Sequence, residues 1–207
     1  MRKKLFKKIG TLCVSLSMLI SIGSTQVIAS TNTNAPSFAF NLLGGIGEYG
    51  ESSRKWCFSS NNVYYMACAK LALDSWMDTS VNGMANYISF VQTSNESQAT
   101  LKIIISADGE TCGYNGKTNF FFNYGRVLPN ASPWDRAVVT YNTTNGVISE
   151  YESEAITSVF AHEIGHAFGL DENNSNTNSI MCQWDEGRSV MLPTSNDIWS
   201  AIAIYVK

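Results

Sequence analysis

Residues 162–172 read His162-Glu163-Ile164-Gly165-His166-Ala167-Phe168-Gly169-Leu170-Asp171-Glu172. Both histidines of the 207-residue chain lie in this stretch, four positions apart. On an α-helix, four residues turn the chain by about 400°, so the two imidazoles project within about 40° of each other, one turn apart. Imidazoles presented that way suit a single Zn²⁺, and Glu163 sits where it can reach a water at the metal and act as general base. The bland alternative is a helix that carries two satisfied histidines, and the five-residue motif does not by itself separate the two. Gly169 follows three residues after His166. Glycine tolerates the left-handed conformation that turns a chain sharply back, which would bring residue 172 beneath the same position.

The helix carrying the motif reads from Glu152 to Phe168, stopped by Gly169. Upstream, Tyr64 to Met77 places Tyr64, Ala67, Leu71 and Trp76 at helical spacing. Tyr87–Val91 and Thr100–Ile105 read as strands, with Asn119–Tyr124 and Ala137–Tyr141 as two further candidates. Gly113, Gly116, Gly125 and Pro129 punctuate the loops between them. A last helix is expected from about Ser195 to Tyr205, capped by Ser195 or Asn196. The order is helix, strands, helix, loop, short helix, which is an α+β layout.

The net charge of −3 conceals an asymmetry: Arg2, Lys3, Lys4, Lys7 and Lys8 supply five of 14 basic residues, and the first acidic residue is Glu48. That basic start precedes an apolar run from Ile9 to Ile22 and small residues near Val27-Ile28-Ala29, the pattern of a secretory signal peptide over residues 1–29. An uncleaved anchor is the alternative, but the run is short for a span of about 20 residues. The expected mature chain, residues 30–207, keeps 9 basic against 17 acidic residues and a net charge of −8. It is expected to be secreted, extracellular and free of the membrane once the signal is removed. So acidic a surface argues against nucleic acid as partner. Cys57, Cys68, Cys112 and Cys182 would remain, enough for two disulfides in any of three connectivities, or for buried free thiols.

Beyond Glu172 the chain continues through Ser179-Ile180-Met181 to Pro193-Thr194-Ser195-Asn196-Asp197-Ile198. Here residues 151–207 resemble the metzincin zinc proteases, and within them the matrixins, whose motif H-E-x-x-H-x-x-G-x-x-H is followed by a methionine turn. The resemblance implies an α+β fold with a twisted, mostly parallel sheet and an antiparallel edge strand. It also implies two long helices and a small C-terminal subdomain with one helix. The upper subdomain would run to about residue 170 and the lower from 171 to 207. Met181 would floor the metal, and Cys182–Val190 would line the pocket for the side chain just beyond the cut bond.

One departure matters. The place of the family's third zinc-binding histidine is Glu172 here, and the chain has no third histidine. A His₂–carboxylate site is chemically sound, so Glu172 is the expected ligand. Asp171, one residue out of register, and Glu186, 20 residues beyond His166, are its competitors. Asp108-Gly109-Glu110 could suggest a structural Ca²⁺, as matrixins often carry one, although loop acids are more often simply solvated. A second zinc site built on histidines is not expected.

Two function classes follow. One is a monomeric, secreted zinc endopeptidase acting on protein or peptide substrates, with Glu163 as base and His162, His166 and Glu172 as ligands. Asn119–Tyr124 or Ala137–Tyr141 would pair with the extended substrate. The other is a non-enzymatic secreted binding protein that keeps zinc as a staple. Glu163 favours the enzyme, because a structural site needs no base.

Overall fold

The computed structural model describes residues 54–77, 89–129, 132, 134–144 and 153–205. All of these fall in one unit, Pro36–Lys207. The expected signal peptide, Cys13 and the leader from Ser30 to Pro36 lie outside the described residues.

Among the described residues six strands form one mixed sheet: β1 (Arg54–Phe58), β2 (Phe90–Gln92), β3 (Leu101–Ser106), β4 (Gly116–Phe122), β5 (Gly125–Val127) and β6 (Arg136–Asn142), in the order β2-β1-β3-β6-β4-β5. The neighbours β2, β1, β3 and β6 pair in parallel, and β4 pairs antiparallel with both β6 and β5. The expected mostly parallel sheet with an antiparallel edge is what the chain builds. Asn123 and Tyr124 both take positive φ, 48° and 68°, and close the two-residue β4–β5 hairpin.

Two strands escape the reading of the sequence. In β1, Trp56 and Cys57 are consecutive and both buried, so the strand shows no alternation. β5 has three residues and exists only as the return of the hairpin. Gly116 and Gly125 open strands where loops were expected. Of Tyr87–Val91 the described part is extended only from Phe90, and residues 87–88 lie outside the described residues.

The helices are α1 (Val63–Trp76), α2 (Ser153–Ala167) and α3 (Ser195–Tyr205). Asn62 caps α1 by accepting from the N–H groups of Tyr64 and Tyr65. The cap of α3 is Thr194, one residue before the expected Ser195 or Asn196. Its hydroxyl accepts from Asp197 N–H while the Asp197 carboxylate accepts from Thr194 N–H, a reciprocal capping box.

α2 packs against α1 on one side and against β4 and β6 on another. The indole N–H of Trp76 in α1 donates to the Ala161 carbonyl in α2 at 2.9 Å, and its ring meets Phe168 edge-on at 5.3 Å. Phe160, Ile164, Phe168 and Tyr141 fill the layer between helix and sheet. Gly165 sits mid-helix, where glycine costs about 1 kcal/mol relative to alanine. A Cβ there would run into the Met181 sulfur and come within 3.0 Å of Trp76. Burying one large apolar side chain contributes about 1.5–3 kcal/mol, so the close approach outweighs the glycine penalty.

Candidate metal centre

α2 presents His162 and His166 on one face, and the turn that follows folds the chain back under them. Gly169 takes φ 102°, with Gly169 N–H bonded to the His166 carbonyl and Leu170 N–H to the Gly165 carbonyl. This double closure is the Schellman motif that glycine permits. The returning Leu170 carbonyl lies 2.8 Å from Nδ1 of His166, and the Ile180 carbonyl lies 2.8 Å from Nδ1 of His162. A carbonyl only accepts, so each Nδ1 carries a proton and, in the neutral ring, each Nε2 offers its lone pair.

Both Nε2 atoms face Glu172, whose Oε1 lies 3.5 Å from His162 and 3.4 Å from His166. These separations exceed an ordinary N–H···O bond of about 2.7–3.2 Å. They match the edge of a tetrahedron about an ion with bonds of about 2.0–2.2 Å. The other carboxylate oxygen, Oε2, is buried and has no hydrogen-bond partner among the described residues. One ligand atom from each of the three residues lies within 4.8 Å of the others, the one such cluster among the described residues. Two imidazoles and a carboxylate with an orphaned oxygen fit a zinc ion.

The charges agree with this proximity. Burial works against ionisation of Glu172, but the facing imidazoles of His162 and His166 win and hold its carboxyl at about 2. Burial likewise disfavours charge on His166, yet Glu172 and Glu163 outweigh it and raise the imidazole to about 9.

The competing carboxylates are not part of this cluster, although Asp171 lines the larger cavity beside it. Asp171 accepts from the Glu172 N–H at 2.8 Å and is not in the cluster. Glu186 lies exposed in a single 3₁₀ turn, Trp184–Glu186. Asp108 is bonded to Tyr114, Lys117 and Ser106, which hold its carboxyl at about 2, so the calcium reading finds no support there. The side chain of Glu110 lies outside the described residues. All four described cysteines are free: Cys57, Cys68 and Cys182 are buried and Cys112 half-buried, so neither disulfide is made.

Met181 is buried against Gly165 directly beneath the helix turn between the histidines. Its loop is anchored by Asp197 of α3, which accepts from the Ser179 hydroxyl at 2.5 Å and from Ile180 N–H at 3.1 Å.

Glu163 faces β4. The Thr118 hydroxyl lies 2.7 Å from Glu163 Oε2 and 2.8 Å from its backbone carbonyl. A Cβ on Gly116 would come within 2.7 Å of both Glu163 Cγ and Val159 Cγ1. Thr118 and Gly116 are absent from any sequence motif; only the pairing of β4 with β6 brings them to α2. Arg188 was also missed as an individual residue. Two cavities, of about 210 and 380 Å³, flank the centre and share Gly116, His162, Glu163 and Gln183 in their walls.

No family model matches the chain, and no curated protein matches it. A solved structure of myroilysin aligns with 76% of this chain and 94% of its own, at 10% identity and a TM-score of 0.47. That similarity is too low to carry chemistry from one protein to the other.

Proposed function

We propose that the chain is a secreted zinc-dependent endopeptidase of metzincin type, with Glu172 standing in for the third histidine ligand. The observation that carries this reading is the convergence of both Nε2 atoms on Glu172, with an unpartnered buried oxygen and Glu163 beside them. His162, His166 and Glu172 would hold the ion. Bound there, zinc supplies Lewis acidity, which polarises a scissile carbonyl and acidifies a water.

Glu163 takes the proton of the attacking water on its carboxylate and returns it to the leaving amine. Thr118 donates to Oε2 and fixes the rotamer of that base. The substrate lies extended along β4. Only Phe120–Phe122 of this strand pair with β5, so among the described residues Gly116–Asn119 have no strand on the side away from β6. That edge suits β-augmentation, whereas β6 is interior and paired on both sides. The amino-terminal basic-then-apolar segment supports export.

Zinc stoichiometry measured together with casein hydrolysis tests the proposal. One zinc per chain is expected, with hydrolysis abolished by a chelator and restored by zinc. Bound zinc without hydrolysis of any protein tested would favour a zinc-stapled binding protein instead.

A further inference from the structure

Arg188 is buried, at 8% exposure, in the wall of the smaller cavity beside the centre. Its guanidinium has five N–H donors. Nη1 donates to the carbonyls of Ile180 at 3.1 Å and Cys182 at 3.4 Å, and Nη2 donates to the Ser158 hydroxyl at 2.8 Å. Nε is buried and has no partner among the described residues. Every acceptor it reaches is neutral, and among the described residues it forms no ion pair. A buried cation with neutral acceptors is costly unless an anion completes it.

No carboxylate among the described residues pairs with it. Glu163 and Glu172 act on it electrostatically without touching it, and in the proposed reading their charges serve the ion and the water. Asp185 also lines the cavity but is exposed to solvent and forms no ion pair with Arg188. The cavity volume is about 210 Å³, and Val159, His162 and Glu163 form the wall on the α2 side. A side chain entering it therefore belongs to a residue next to the bond being cut. The exposed Trp184 ring, with the guanidinium 5.5 Å from its centre, also lines the cavity.

We infer that this cavity selects an acidic side chain, Asp or Glu, on a substrate residue flanking the scissile bond, with Arg188 as the specificity-determining residue. This rests on the peptidase reading above. A carboxylate seated there accepts charge-assisted bonds from the guanidinium, each roughly twice as strong as a neutral one. Its uncharged isostere leaves the cation unpaired, so discrimination between Asp and Asn of about 10- to 100-fold is expected.

The test uses the wild-type protein with bound zinc and short peptides that differ only by Asp, Asn, Leu or Lys at either position flanking the cleaved bond. The expected result is a kcat/KM at least about tenfold higher for Asp than for Asn at one of the two positions, with Lys the poorest there. Arg188→Met, if folded, should collapse the Asp/Asn ratio toward one; the wild-type series stands even if that variant does not fold. Peptides cleaved with no acidic preference at either position would overturn this inference and leave the peptidase reading intact. No cleavage of any peptide by zinc-loaded protein would overturn both.

Discussion

The Thr118 hydroxyl lies 2.7 Å from Oε2 of Glu163, so a side chain of β4 holds the carboxylate that α2 presents. The two residues are 45 positions apart and meet because β4 runs beside α2. A hydrogen bond to a charged group is worth about 1.5–3 kcal/mol, which corresponds to about 10- to 100-fold in rate if it is lost only at the reacting geometry. Thr118→Val should therefore lower kcat by that order while zinc content stays at one per chain. Thr118→Ser, which keeps the hydroxyl, should recover most of the loss.

Gly116 makes the same contact by having no side chain. Gly116→Ala would press a methyl group into Glu163 and Val159. Overpacking of that kind costs about 1–3 kcal/mol, and here part of it is relieved by turning Glu163 away. Steady-state assays should show a kcat loss of at least about tenfold, larger than the change in zinc affinity.

The coupling of His166 and Glu172 sets two opposite pH trends. In the metal-free chain, the raised His166, at about 9, adds stability that is complete below its unfolded value near 6.5 and is lost as pH rises through 9. The lowered Glu172, at about 2, adds stability that is complete above its unfolded value of about 4.5 and is lost as pH falls through 2. Chelated protein should accordingly melt highest between about pH 4.5 and 6.5. Zinc must displace the His166 proton, so its apparent affinity should rise by up to about tenfold per pH unit below 9. Melting curves of the chelated protein over pH 2–9 check both trends, and zinc titrations over pH 5–9 check the affinity.

Asp197 ties the methionine loop to α3. Asp197→Ala would strand the buried N–H of Ile180 and the Ser179 hydroxyl and would remove half of the α3 capping box. Each stranded buried donor costs about 1–3 kcal/mol. Denaturant unfolding should show a loss of about 2–5 kcal/mol, and zinc affinity should fall because Ile180 also orients His162.

Much of this arrangement is legible in the chain because it is local. The i, i+4 histidines, the Gly169 stop and the return to Glu172 lie within 11 consecutive residues, where helix geometry and one left-handed glycine determine the layout. The three helices are legible for the same reason, but the stripe expected on α1 is not its core face: Tyr64, Ala67 and Leu71 are exposed, and Cys68, Ala69, Ala72 and Leu73 are buried with Trp76. The residues around the centre that were not legible come from distant segments. Thr118 and Gly116 depend on β4 entering antiparallel beside β6, a pairing no local pattern announces. β1 stayed hidden because a strand with neighbours on both sides buries Trp56 and Cys57 on opposite faces. The four cysteines permitted disulfides by number alone, yet they sit on β1, α1, the loop after β3 and the methionine loop, and all four are free.

The role of Glu163 as the base at a zinc held by His162, His166 and Glu172 is the centre of this account, and one variant tests it most directly. Glu163→Gln keeps the shape of the side chain and the Thr118 contact but cannot accept a proton from water. Zinc content by elemental analysis, measured on the same samples as peptide hydrolysis, should remain at one per chain while hydrolysis falls by at least about a hundredfold. Hydrolysis at the wild-type rate with zinc still bound would contradict the account.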